Sequence, residues 1–426
     1  MTVLARLVTA PTKITTLAAA VLAALAVGLV PVTGAQAGTS HLPLGDPGLT
    51  ETRSTTTLAS GVTLTRIVRG TEPAPPDQIN TTTRGPWVVN VLTIDPSRAQ
   101  GHLAATFGPD LAGTEKTTDL VRSAGALAGV NGSFFTFTAS RQFPGDPVGL
   151  GLYNGRLLSE PTTDPTETDF VFNAVSNRVL TGPVHWSGTM INRLTGDTLP
   201  LEFIDHPPVV PAGCAALTDQ TQCTQPGDLT EFTPEFAAST PAGPGVEVVL
   251  DRHGCVVRSL TSRGTQLAAG ETSLQATGQD TVSLRNATKQ GCLRRQLSLT
   301  DQQGDQLAVN QNVFGVNGRF QLVSGGHIVV PAGSGSFFDR NPRTIAGTTS
   351  DRKIILATID GRSTASVGTT LAETAAVAQA LGMSDAVNLD GGGSTAMSVD
   401  GNLINQPSDP GGERAVGDAL VYIDHQ

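Results

Sequence analysis

Hydrophobic and polar positions alternate or run together in short blocks along this chain, and the blocks predict many strands and few helices. Gly61-Val-Thr-Leu-Thr-Arg-Ile-Val-Arg69 alternates, as a strand with one wet face does. Trp87 to Ile94 is nearly all apolar and closes on Asp95-Pro96, so it reads as a second, more buried strand. Thr117 to Ala128 places Leu120, Val121, Ala124 and Leu127 at helical spacing behind Thr118 or Asp119 as a cap. Ala128 to Phe135 follows as a strand running into a tight turn. Val148 to Leu158 holds a hairpin around Asn154-Gly155. Strand-like pieces recur over 170–180, 183–191 and 246–250.

The last third is the most regular. Arg352 to Ile359 is an almost continuous β-branched run, expected as a buried central strand, and ends in Asp360-Gly-Arg362. Thr370-Leu-Ala-Glu373 is a capping box opening a helix whose buried stripe is Leu371, Ala375, Ala378 and Leu381, with Gly382 closing it. Glu373 is read as part of that cap rather than as chemistry. Ala386 to Leu389 is the next strand. It feeds Asp390, then Gly391, Gly392 and Gly393, then Ser394, and a hairpin follows at Asp400-Gly401. Strand, helix, strand with an acid at each strand end predicts a crossover unit with a site at the carboxyl edge. The expected fold class is α+β, strand-rich mixed sheets with a few helices.

Composition narrows the picture without changing it. Of 426 residues, 15% are charged and 4% aromatic, with 48 Gly and 27 Pro, which suits a loop-rich strand protein better than a bundle. The net charge of −10 without a basic stripe argues against a nucleic-acid partner. The N-terminus has Arg6 and Lys13, an apolar run from Leu17 to Val30, and a small-residue Ala35-Gln-Ala37 cleavage pattern. Residues 1–37 are therefore expected to be a signal peptide, leaving a secreted chain with no stable membrane anchor. Residues 38–60 read as a flexible leader and 61–116 as N-terminal strands packed on a domain spanning 117–426. A proline-rich stretch at 205–228 reads as a cysteine-bearing insertion. Four cysteines allow three pairings, and the local ones, Cys214–Cys223 and Cys255–Cys292, are favoured.

Candidate chemistry gathers at turns. Glycines without Cβ let a ligand approach the main chain, and successive N–H groups can form an anion-binding concavity. The alternative is a turn in which Asp390 caps its own backbone. Arg343, Arg362 and Arg414 each sit in a turn with Gly, Pro, Asp or Glu, and Arg suits bidentate capture of phosphate or carboxylate. The histidines share no ligand spacing. Ser394 lacks the nucleophile-elbow pattern.

These motifs together resemble the phosphodiester glycosidase family. The resemblance rests on Val-Asn-Gly-Ser-Phe-Phe (130–135), Pro-Arg-Thr-Ile-Ala-Gly (342–347), Ile-Asp-Gly-Arg (359–362), Asn-Leu-Asp-Gly-Gly-Gly-Ser-Thr-Ala-Met (388–397) and Gly-Glu-Arg (412–414). It implies hydrolysis of a sugar from a sugar-1-phosphodiester, leaving a phosphomonoester. Asp390, Asp360 and Glu413 are then candidates for the carboxylate that stabilises an oxocarbenium-like centre or activates water. Arg343, Arg362, Arg414 and the backbone of Gly391, Gly392, Gly393 and Ser394 are candidates for a phosphate cradle. Asn131 and Ser133 are candidates to fix the sugar hydroxyls, with Gly132 beside them among the substrate- or phosphate-binding residues. No cofactor is required by this reading, although the acids could instead hold a divalent cation. Two other readings are a non-catalytic wall or exopolysaccharide binder of the same fold, and a phosphoesterase cutting the P–O bond.

Overall fold

A computed structural model describes residues 41–425, so the signal peptide expected over 1–37 lies outside the described residues. The organising element is an eight-stranded sheet. Its order is Glu51–Ala59, Val62–Arg69, Trp87–Ile94, Ile354–Ile359, Arg343–Thr349, Met383–Asn388, Gln321–Ser324 and His327–Ile328. The apolar run at 354–359 is explained by burial on both faces. Ile354 and Leu356 join one core, while Ile355, Ala357 and Ile359 join another. The first core packs the large sheet against two five-stranded sheets through Leu92, Val387, Val130, Leu420, Phe170 and Val316. The second is closed by helix α3 (Leu371–Ala380), whose Leu371, Ala375 and Ala378 cover the sheet's other face.

Helix α3 has the expected capping box, and Glu373 also pairs with Arg340 at 2.9 Å, so its role is structural. Both predicted hairpin turns are present. Asn154-Gly155 joins Gly151–Tyr153 to Arg156–Ser159, and Asp400-Gly401 joins Met397–Val399 to Asn402–Leu403, all four turn residues having positive φ. Helix α1 is shorter than expected, Thr117–Ser123, and has no side-chain cap from its own start. Residues 170–180 are not one strand but the hairpin Glu167–Asn173 and Val179–Gly182.

Two larger differences concern organisation. From residue 41 the expected loose leader is ordered: Leu42 and Leu44 are buried, and Glu51–Ala59 pairs along the length of Val62–Arg69. Its polar, Thr-rich faces are mostly exposed, so no apolar alternation marks it as a strand. The region at 205–228 is part of a wider module. Three strands (His185–Asn192, Thr198–Leu201, Leu293–Thr300), a five-stranded sheet and α2 (Asp280–Ala287) build a separate core around Leu229, Val248, Leu274 and Leu284. Both disulfides, Cys214–Cys223 and Cys255–Cys292, form as expected and lie in this module. Trp87–Ile94 hydrogen-bonds directly with Ile354–Ile359, which makes residues from 61–116 and from 117–426 neighbours in one sheet. Among the described residues no helix is long and apolar enough to cross a membrane.

Candidate active site

Sheet topology brings the motifs together. Ile354–Ile359 and Met383–Asn388 both run antiparallel to Arg343–Thr349 between them, so they are parallel to each other and α3 is their crossover. Arg343 lies opposite Ile359, and Ile345 opposite Asn388. The start of one strand and the carboxyl ends of two others therefore share an edge. The chain then turns through Asp390 and the glycines. A Cβ on Gly393 would meet Arg414 Nη2 at 2.1 Å and Asp409 Oδ1 at 2.2 Å, and Gly392 has φ +60°. Only glycines let this loop lie against its neighbours.

A cavity of ≈ 250 Å³ opens at this edge, lined by Asp390, Gly391, Gly392 and Gly393, by Arg343, Arg362 and Arg414, and by Asn388, Phe134 and Phe337 among others. Burial raises the Asp390 carboxyl to about 6, against the opposing pull of the Ser394 hydroxyl, the Gly391 N–H and the Arg414 charge. Arg343 is buried, donating from Nε to Thr369 O (3.2 Å) and from Nη2 to Phe337 O (2.7 Å) and Asp339 O (2.9 Å). Burial and the neighbouring Arg362 lower its guanidinium to about 10, so it stays cationic at neutral pH. Arg362 is exposed and donates from Nη2 to Asn341 Oδ1 at 2.8 Å. Arg414 forks onto Asp409 (2.8 and 3.1 Å) and lies over the Phe137 ring at 4.5 Å. Three arginines against Asp390 and Asp409 leave a net charge of 3 − 2 = +1, suited to one anionic group.

Not every expected residue arrives here. Asp360 is buried under a separate cavity of ≈ 580 Å³ and accepts from Asn405 Nδ2 (3.1 Å) and Gln406 N (3.3 Å). Burial raises it too, to about 6. Its partner Asn405 also binds Thr395 O and Met397 N, so Asp360 braces the segment after the glycines. Glu413 accepts from Thr118 N (2.9 Å) and Thr118 Oγ1 (2.8 Å) and supplies the missing cap of α1 from across the chain. Asn131 is fully enclosed: Nδ2 donates to Asp390 O at 2.7 Å, and Oδ1 accepts from Thr344 Oγ1 and Ala396 N. Ser133 gives both its N–H and its hydroxyl to Asp418, which Tyr153 also binds at 2.6 Å. Gly132 bonds the backbone on either side, to Asp418 and Asp390. These three residues support the loop instead of lining the cavity.

The glycine loop is not an open nest of donors either. Gly391 N–H goes to Asp390 Oδ1 (2.9 Å), Gly392 N–H to Pro342 O (2.9 Å) and Ser394 N–H to Gly391 O (3.1 Å). The self-capping of Asp390 is thus realised alongside its place in the cavity. The three acids named as a cation set lie apart, and no group of three or more His, Cys, Asp or Glu among the described residues is placed to hold a metal ion. The donors do not fit a divalent-cation centre.

Sequence reasoning missed Asn388, Phe134, Phe337 and Asp409. Alternation along a strand puts residues two apart on one face, so Asn388 could have been found from Asp390. The others are far from it in sequence and only the fold brings them close.

Residues 244–423 match the family model described as phosphodiester glycosidase. The family resemblance read from the motifs is borne out over that segment, which includes Arg343, Arg362, Asp390 and Arg414. The protein YomE of Bacillus subtilis (strain 168), derived from the SPbeta prophage and uncharacterized, is 42% identical over 82 residues. That stretch is 19% of this chain and 13% of YomE, so the chain spans only a small part of that relative's length. The crystal structure of a Burkholderia pseudomallei K96243 protein described as exported is 26% identical with a TM-score of 0.76, over 91% of this chain and 99% of that one. A hypothetical protein from Synechocystis is 18% identical with a TM-score of 0.66, over 88% of this chain and 64% of its own, and shows the shared fold.

Proposed function

We propose that this chain is a secreted hydrolase that cleaves the glycosidic bond of a sugar-1-phosphodiester, releasing a sugar and a phosphomonoester. The observation that carries the reading is the meeting of Asp390 with Arg343, Arg362 and Arg414 around one small cavity. In such a substrate the leaving oxygen already belongs to a phosphate, so it needs positive charge more than a proton. Arg362 and Arg414 stabilise the charge that grows on that phosphate as the bond lengthens, with Arg343 beneath them. Asp390, ionised, faces the electron-poor anomeric carbon, either stabilising it or bonding to it. Water supplies its oxygen to the anomeric carbon, the carbon–oxygen bond to phosphate breaks, and the water's remaining proton leaves to solvent or to the phosphomonoester. Secretion is supported by the expected signal peptide, by both disulfides and by the likeness to a protein described as exported.

Hydrolysis of sugar-1-phosphodiesters in oxygen-18 water tests this reading. The label is expected in the released sugar. Label in the phosphate would assign a phosphoesterase instead, and tight binding without turnover of any sugar-1-phosphodiester would assign a binding protein.

A further inference from the structure

The module that holds both disulfides meets the rest of the chain along a seam of few contacts. Leu111 N and Ala112 N donate to Glu235 O and Phe236 O, at 2.8 and 2.9 Å. Phe232 and Phe236 pack with Ala112 and Phe143. Arg156 pairs with Glu235, and Ile204 N donates to the buried Glu160 at 2.8 Å. His206, two residues beyond Ile204, places its Nδ1 2.9 Å from Asp146 Oδ2. Asp146 is 1% exposed, and its Oδ1 has no hydrogen-bond partner. A buried carboxylate with one oxygen unpaired depends on the partner it has, so His206 carries most of what holds the Asp146 side chain.

Asp146 also anchors a loop that reaches the candidate active site. Its main-chain carbonyl accepts from Thr136 N (2.9 Å), Phe137 N donates to Pro144 O (2.8 Å), and Val148 N donates to Phe134 O (3.0 Å). Residues 134–148 are thereby tied into one closed loop. Phe134 lines the cavity, and the Arg414 guanidinium lies over the Phe137 ring at 4.5 Å. Phe137 has φ +49°, a left-handed backbone that a bulky residue keeps only where its surroundings impose it. Imidazole, carboxylate, loop and guanidinium form one contiguous path from the module to the cavity.

The charged groups that act on His206 are Asp146 from the loop, Glu160 from just beyond strand Arg156–Ser159, and Asp228 from its own module. Burial pulls the imidazole down, but the Asp146 hydrogen bond and these three acids outweigh it and hold it above its ordinary 6.5. Burial raises the Asp146 carboxyl, against the bond from His206, and raises Glu160 to about 8, against the Ile204 N–H. Tyr153 is the other titratable group beside Asp146. We propose that His206 is a positioning residue of the candidate active site: protonated, it clamps Asp146 and with it the loop that sets Phe134 at the cavity wall and Phe137 beneath Arg414, and deprotonated, it lets that loop loosen and the grip on the substrate's phosphate weaken. The proposal rests on the glycosyl-phosphate reading above and adds a proton-sensitive control of substrate affinity. Ionisation of Asp390 opens activity from the acid side, and loss of the His206 proton lowers affinity on the alkaline side.

Two readouts on the full chain test this. Hydrogen exchange at the Thr136 and Phe137 amides needs no substrate. Corrected for the intrinsic effect of pH, their protection should fall about three- to tenfold between about pH 6 and about pH 8.5, while the amides of Arg343–Thr349 keep theirs. In steady-state kinetics on a sugar-1-phosphodiester, whose single charge is constant over that range, KM should rise by a similar factor and kcat should stay within about twofold. His206→Gln keeps a hydrogen-bond donor without a titratable charge, and should show the loosened loop and the raised KM at both pH values. Glu160→Gln should retain the pH step, which assigns the step to His206. Protection at Thr136 and Phe137 that ignores pH in the unaltered protein would overturn the proposal, and this outcome needs no variant to fold. So would a step that survives in His206→Gln or vanishes in Glu160→Gln, or a KM that stays flat while the loop loosens. Absence of turnover on any sugar-1-phosphodiester, with the exchange step present, would instead remove the proposed hydrolysis and leave the His206 clamp standing.

Discussion

Replacing Asp390 by Asn should make the protein more stable and less active at once, and the pH dependence of the gain is the informative part. Burial raises the Asp390 carboxyl from 3.8 to about 6. A group whose folded-state pKa is raised binds its proton more tightly in the native state, so its contribution is full below about 4 and lost as pH rises through about 6. The shift is about two units, an upper limit of about 3 kcal/mol, and partial exposure of Asp390 to the cavity reduces it to ~1–3 kcal/mol. Asparagine carries no charge, and its side-chain oxygen can still accept the Gly391 N–H that Asp390 accepts. Asp390→Asn should therefore exceed the unaltered protein in stability by ~1–3 kcal/mol at pH 7.5 and match it at pH 4. Denaturant melts of both proteins at the two pH values measure this, and subtraction cancels Asp360 and Glu160, which burial raises to about 6 and about 8. Turnover should fall by roughly 10²–10³, the usual cost of removing a group that meets charge in the transition state. The reasoning fails if the variant is less stable at pH 7.5, or if the difference is the same at both pH values.

If the proposed hydrolysis holds, activity of the unaltered protein should rise with pH through about 6 as Asp390 ionises, and a flat profile across that range would remove its role as a carboxylate. Glu413→Ala should cost about 1 kcal/mol by uncapping α1, seen in a denaturant melt, while turnover stays within a few-fold. Arg362→Lys should slow substrates with a poorly stabilised leaving phosphate more than activated ones, because a point charge cannot reproduce the planar fork; equal slowing across leaving groups would sink the phosphate role. Replacing Cys255 and Cys292 by Ser opens a link spanning 37 residues and should cost about 4 kcal/mol in the module that holds both disulfides, against about 3 kcal/mol for the 9-residue Cys214–Cys223 link, read as two separate unfolding midpoints.

Local physics was legible in the chain itself. The capping box of α3, the two positive-φ hairpin turns, the doubly buried strand at 354–359 and the nearby cysteine pairs each depend on residues close in sequence. Propensity, backbone conformation and loop closure act over that distance, so pattern suffices. The crossover that sets Arg343 and Asp390 at one edge followed from the same patterns. What tertiary structure alone decided was the assignment of partners. Asp360 and Glu413 carry the same charge as Asp390 and sit in equally suggestive turns, yet one braces Asn405 and the other caps a helix 295 positions away. Asn131 and Asn388 are both buried asparagines at strand ends, but only Asn131 finds backbone groups within reach. A side chain's role is fixed by which polar groups three-dimensional packing leaves beside it, and those groups come from anywhere along the chain. The polar edge strand at 51–59 follows the same logic, since its place comes from a neighbour with unpaired backbone groups rather than from any apolar face of its own.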